Sequence, residues 1–161
     1  EDRELDAFVI RNNSIWIGRQ IDTLAIAIQI YRQGRSHQIV NNAIVNVSQG
    51  FNACCIDQDG DLTRYDDISH NVCLLADDNP RAAWALGYSS LARWQDTGFG
   101  TNSLEADPAY TAPMGPDFDL RPMGPDSPLV GTAKPTASPS TDLTGRARDE
   151  MPDIGAYEYA P

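Results

Sequence analysis

The carboxylates that could do chemistry gather in one stretch. Asp57, Asp59 and Asp61 alternate with Gln58 and Gly60, and Asp66, Asp67 and His70 follow closely. Oxygen ligands at alternate positions suit calcium, which takes about six to eight of them. The glycine falls between the second and third Asp, and no Glu occupies the twelfth position, so the loop departs from an EF-hand. The other reading is a solvated turn in which Gly60 supplies positive φ. Paired acid–base hydrolysis needs two carboxyl groups about 5–9.5 Å apart across the scissile bond, and the same Asp cluster is the best local candidate. Acidic turns are also simply common in a chain this acidic.

Three further sets deserve weighing. Trp84, Tyr88 and Trp94 share one insertion, where aromatic rings either stack on sugars or pin the insertion to the body. Arg32, Arg35, Arg64 and the single lysine, Lys134, are the cations available as a base, although an arginine on a solvent face is usually only that. Cys54, Cys55 and Cys73 have no zinc spacing; one disulfide from Cys54 or Cys55 to Cys73 is open, as is a role as small apolar fillers. Asn12-Asn13-Ser14 and Asn46-Val47-Ser48 match glycosylation sequons but sit inside a repeat, where coincidence explains them. Gly-rich phosphate loops and nucleophile elbows are absent.

The totals narrow the partners. A net charge of −11 over 161 residues excludes nucleic acid, because phosphate binding needs clustered positive charge. It also argues against anionic membranes. No apolar run is long enough for membrane insertion. Cations, neutral glycans or a plain acidic surface remain.

What must position these side chains is a repeat. Ile10-Arg11-Asn12-Asn13-Ser14-Ile15 returns as Ile39-Val40-Asn41-Asn42-Ala43-Ile44 and as Ile68-Ser69-His70-Asn71-Val72-Cys73, each at an offset of 29 (13 to 42, 42 to 71). Phe99-Gly100-Thr101-Asn102-Ser103-Leu104 is a fourth copy at an offset of 31 (71 to 102). Short β-branched runs broken by Asn and Gly read as strands, not helices. Second strand-like stretches, Leu24–Tyr31, Phe51–Asp57 and Ala82–Tyr88, lie between the Asn frames. Units of about this size that return to the same place are coils of a solenoid. Four unrelated strands of a sandwich would have no reason to keep Asn in phase. The fold class expected is all-β, a parallel β-helix of about three to four coils. Asn13, Asn42, Asn71 and Asn102 stack as an amide ladder in turns that tolerate left-handed geometry. Ile10, Ile39, Ile68 and Phe99 form one inner stack, and Ile15, Ile44, Cys73 and Leu104 another.

After residue 105 the composition changes: nine of the eleven prolines lie between Pro113 and Pro161. Proline cannot donate to a central ladder. We therefore expect coils over 1–110 and, over 111–161, a capping segment of the same domain. It wraps the open end of the solenoid, with Tyr110, Met114, Phe118, Leu120, Leu129, Ile154 and Tyr157 as anchors.

The same region carries a resemblance. Asn102-Ser103-Leu104-Glu105-Ala106-Asp107-Pro108-Ala109-Tyr110 is followed by Phe118-Asp119-Leu120-Arg121-Pro122, Asp126-Ser127-Pro128-Leu129, Gly145-Arg146-Ala147-Arg148 and Asp153-Ile154-Gly155-Ala156-Tyr157-Glu158. In this order the motifs resemble the C-terminal end of bacterial right-handed parallel β-helix proteins of the pectate-lyase-like superfamily, in particular choice-of-anchor Q domain proteins. Ser127-Pro128 runs into Leu129-Val130-Gly131 where the family usually continues Ile-Asp, and only Tyr159, Ala160 and Pro161 follow the final Glu. The resemblance implies a right-handed solenoid, secreted or at the cell surface, with coils upstream. Glu1–Asp6 is too short and charged to cap the first coil, so an upstream segment or another protein chain is expected to cover that face. The function expected is a structural, adhesive or polysaccharide-binding module. The alternative is the C-terminal part of a polysaccharide lyase or glycoside hydrolase whose catalytic coils lie upstream. In lyases of that superfamily the base is Arg or Lys, often beside calcium, so Ca²⁺ is the one cofactor expected.

Overall fold

The computed structural model describes residues 7–19, 24–30, 34–50, 52–58 and 60–161. Strands β1 (Val9–Arg11), β2 (Ser14–Ile17) and β3 (Ile26–Gln29) form a first coil. A second contains β4 (His37–Val40), β5 (Ala43–Asn46) and β6 (Cys54–Asp57). A third contains β7 (Tyr65–Ser69), β8 (Val72–Leu75) and β9 (Ala83–Ala85). Equivalent strands pair in parallel, giving the columns β1-β4-β7, β2-β5-β8 and β3-β6-β9. This is an all-β parallel solenoid of about three turns.

Register follows from what must point inward. Ile10 lies opposite Ile39 and Ile39 opposite Ile68; Ile15 lies opposite Ile44 and Ile44 opposite Cys73. With Ile28, Ile56, Tyr65 and Trp84 they form the inner core. Cys55 and Cys73 are joined across this core by a disulfide with 6.4 Å between Cα atoms, while Cys54 stays a buried free thiol. Successive strand residues face opposite sides. That is why one of two adjacent cysteines reaches Cys73 and the other cannot.

The corner between the first two strands of each coil is a two-residue turn. Its first residue is left-handed: Asn12, Asn41, His70 and Asn102 have φ of 53°, 60°, 50° and 55°. Its second is the ladder residue. The left-handed geometry expected at Asn13, Asn42 and Asn71 therefore belongs to the residue before each. The fourth copy is also shifted. Strand β10 (Leu104–Glu105) sets Leu104 opposite Val72, not Cys73, and Glu105 takes the place opposite Cys73. Leu104 is therefore outside the inner stack that its frame predicted. Asn102 falls beside His70, and Ser103 becomes the ladder position.

The C-terminal segment does not wrap an end of the solenoid. It is a strap along the side, over the outer face of the β2-β5-β8 column. Ala43, Val45 and Val72 from that face pack against Tyr110, Leu120, Leu129, Ala133 and Ile154 in a second core. With both faces covered, β5 is buried along its whole length. Strands β11 (Tyr110–Ala112) and β12 (Asp119–Pro122) open the strap as an antiparallel hairpin. Met114 and Phe118 in its turn are 72% and 58% exposed and anchor nothing, contrary to the expectation; the Pro-Gly turn carries them away from the sheet.

The two ends of the coil stack differ. At the C-terminal end, helix α1 (Leu91–Gln95) lays Trp94 on Trp84, with ring centroids 6.3 Å apart, and Phe99 on Trp94 at 5.8 Å. Gly100 has φ of 77°, and a Cβ there would lie 2.7 Å from Trp94 Cδ1, so only glycine lets the chain pass the plug. At the N-terminal end β1, β2 and β3 are the edges of their sheets. Phe8, Val9 and Leu24 are exposed there, and Ile10 and Ile15 are only partly buried.

Candidate functional site

The aromatic set expected to meet sugars is the plug. Trp84 and Trp94 are fully buried, so neither can stack on a ligand. Tyr88 meets Trp94 edge to face at 5.0 Å and is half-buried. The three were legible as a cluster but not as interior, because the helix that folds Trp94 back over the last coil has only five residues.

The acidic stretch is divided among separate tasks. Asp57 ends β6, is buried, and accepts from Gln29 Nε2 of the previous coil at 2.7 Å. Asp61 caps a short 3-10 turn, Leu62–Arg64, accepting from Thr63 Oγ1 at 2.6 Å and Arg64 Nε at 2.9 Å. These bonds hold its carboxyl below the usual range. Asp59 lies outside the described residues, as does Arg32. Among the described residues no group of three or more His, Cys, Asp or Glu side chains is gathered so as to hold a metal. A calcium ion at this turn would have to draw Asp57 from Gln29 and Asp61 from its cap. Arg35, the remaining arginine candidate, lies in the loop before β4.

The ladder is the most ordered polar feature. Asn13 N and Nδ2 donate to Asn42 Oδ1 at 3.2 and 2.9 Å. Asn42 N and Nδ2 donate to Asn71 Oδ1, both at 3.0 Å. Asn71 N then donates to Ser103 Oγ at 3.1 Å, in the place expected of Asn102. A hydroxyl suffices there because Asn71 Nδ2 is satisfied by Ile39 O at 2.8 Å.

A second polar column, the left-handed one, receives the strap. Asn41 Oδ1 accepts from Lys134 N at 2.8 Å, and Asn41 Nδ2 donates to Lys134 O and Ser138 Oγ, both at 3.1 Å. Gly155 N donates to Asn41 O at 2.9 Å and Ala156 N to Ser14 Oγ at 3.0 Å. Beside this seam Lys134 Nζ reaches Asp67 Oδ2 at 2.6 Å. With Arg11, Gln38, Asp66 and Thr136 the pair lines an open cleft of about 490 Å³ between the strap and the β1-β4-β7 column. His70 flanks the seam: partial burial and then Lys134 lower its pKa, against the opposing pull of Asp67. Lys134 and Asp67 were each singled out from sequence, but their meeting depends on the course of the strap, which has no periodicity to read.

The arginine and acidic motifs at the C-terminus form a clasp. Arg148 Nη1 pairs with Glu158 Oε2 at 2.8 Å and also donates to Asp153 O, and its Nη2 donates to Gly155 O at 2.7 Å. Asp153 accepts from Gly131 N and Tyr159 N. Asp142 accepts from Thr144 and Arg146 and ties Glu158 N. Arg148, Glu158, Asp153 and Asp142 thus each fasten backbone. Among the described residues no helix is long and apolar enough to cross a membrane.

Set against protein-family models, curated proteins and solved structures, the chain gives no significant match to any; what it is shown to be is a parallel β-solenoid of about three turns.

Proposed function

We propose that this chain is the closing module of a longer, extracellular right-handed β-helix, with a structural and adhesive role. The observation that carries the reading is the difference between its ends. One is plugged by Trp84, Trp94 and Phe99, while the other presents three parallel edge strands with apolar residues exposed. Unpaired edges with half-buried core residues invite further coils, whether from an upstream segment or another chain. Two features support the extracellular part. The Cys55–Cys73 disulfide persists in oxidising compartments. The order of motifs from Asp107 to Glu158 is similar to that of choice-of-anchor Q domain proteins.

A glycan-binding role has one observation in its favour, the cleft below Lys134. Its mixture of carboxylates, amide and cations offers both donors and acceptors to hydroxyls. Calcium at Asp57–Asp61 belongs to the same proposal. The experiment that tests the scaffold reading is light scattering of the native protein together with its intact mass. Titration with neutral and acidic oligosaccharides, with and without calcium, tests the glycan reading: binding lost in Lys134→Ala supports it, and binding unaffected by that change sinks it.

A further inference from the structure

The amide ladder has a direction. At both steps between coils the Asn of the earlier coil donates its N–H and Nδ2 to the Asn Oδ1 of the later one: Asn13 to Asn42, and Asn42 to Asn71. Asn42 Nδ2 and Asn71 Nδ2 also donate back, to Ile10 O and Ile39 O of the preceding coil. At the plugged end the direction terminates on Ser103 Oγ. At the open end it does not terminate. Asn13 donates forward to Asn42, and its Nδ2 also donates to Arg11 O of its own coil, as Asn42 Nδ2 does to Val40 O. Among the described residues no donor serves Asn13 Oδ1.

We infer that the open end of the solenoid is an interaction surface for one kind of partner, a parallel coil that places an asparagine over Asn13. The inference rests on the closing-module reading and names what that module closes onto. The partner's backbone N–H and side-chain amide meet Asn13 Oδ1, and the carbonyl of its inward strand residue meets Asn13 Nδ2. The parallel register of β1, β2 and β3 sets the repeat, 29 residues between ladder positions. A second copy turned edge to edge does not fit, because it brings the same acceptor against itself. An apolar surface does not fit either, since covering Asn13 Oδ1 without a donor desolvates it unpaid by any bond. Asn13 Nδ2 already has Asn42 Oδ1 and Arg11 O as acceptors, and only a coil that continues the direction of the ladder brings donors to Asn13 Oδ1.

The test uses the full chain with an additional coil. A copy of residues 36–64, carrying Cys54→Ala and Cys55→Ala, is inserted between Asp6 and Ala7, which sets the copied asparagine 29 residues ahead of Asn13. A second version carries N42A in the copy alone. Amide exchange is followed by mass spectrometry in β1 and β2. The expected result is about tenfold slower exchange over these strands with asparagine in the copy, and loss of most of that slowing with alanine. Equal slowing in both versions overturns the ladder inference and leaves the closing-module reading standing. No slowing in either shows that the edge takes no coil and overturns both. A structure of the native assembly gives a second measure: a donor facing Asn13 Oδ1 is expected, and an apolar side chain packed there contradicts the inference.

Discussion

Arg148 and Glu158 form an ion pair sealed from solvent, 2.8 Å apart, with 3% and 6% of their side chains exposed. It is the knot of the strap, because the same guanidinium also holds the carbonyls of Asp153 and Gly155. Removing one partner of a buried pair leaves the other uncompensated, at about 3–5 kcal/mol. Arg148→Ala is therefore expected to release the strap and expose the outer face of the β2-β5-β8 column. Thermal unfolding and exchange over β5 check this. A midpoint unchanged by Arg148→Ala would show that the pair fastens nothing.

The ladder should weaken from the inside out. Asn71 is fully buried and receives two donors from Asn42, whereas Asn13 is exposed and receives none among the described residues. Leaving a buried donor unsatisfied costs about 1–3 kcal/mol. Asn71→Ala is expected to destabilise by about 2–4 kcal/mol, and Asn13→Ala by less than about 1 kcal/mol. Denaturant melts of the two variants decide it, and equal effects would contradict the ladder's role.

Thiol chemistry separates the cysteines. Burial, and secondarily Asp57, push the Cys54 thiol up to about 12, so little thiolate exists near neutral pH. Alkylation of the folded, unreduced protein is expected to label no cysteine; after denaturation it labels one without reductant and three with it. Cys73→Ser opens a cross-link spanning 18 residues and is expected to cost about 3 kcal/mol. Labelling of Cys54 in the native state would refute the buried placement.

The carboxylates of the clasp respond to acid in opposite senses. Burial raises Asp142, but the bonds from Glu158, Thr144 and Arg146 outweigh it and its pKa is lowered. Its contribution is present above the ordinary carboxylate range and is lost as pH falls through the folded value. Asp153 and Glu158 are raised by burial, only partly offset by backbone N–H groups and Arg148. Their titration favours the fold below the ordinary range, and this is lost as pH rises through their folded values. Between about pH 6 and pH 3, Asp142→Asn is therefore expected to lose less stability than the parent chain. Thermal melts across that range check it; a parallel decline in both proteins would contradict the assignment.

The coil repeat was legible because Ile39, Asn42 and Ile44 return to the places of Ile10, Asn13 and Ile15 at a constant period, and only stacking requires that. Asn102 was misplaced because the insertion carrying α1 lengthens the coil, so the ladder offset there is 32, while a look-alike frame occurs at 31 (71 to 102). The choice between Cys54 and Cys55 stayed open in the sequence, because both are fully buried on β6 and only the folded coil shows that Cys55 reaches Cys73. The anchors Tyr110, Leu120, Leu129, Ile154 and Tyr157 of the strap were legible, but its course was not. Its turns are built from Pro and Gly, as in Pro113-Met114-Gly115-Pro116-Asp117 and its repetition at Pro122-Met123-Gly124-Pro125-Asp126, and such turns carry no period that names a face. For that reason Met114 passed as an anchor, and the meeting of Lys134 with Asp67 went unforeseen.

The proposal has the edge formed by β1, β2 and β3 covered in the working protein. Intact mass and light scattering of the protein as its producing cell makes it test that most directly. The expected result is a polypeptide with further coils before Ile10, or a stable assembly that buries this edge. A lone, stable monomer of 161 residues with β1 and β2 in rapid exchange would contradict it.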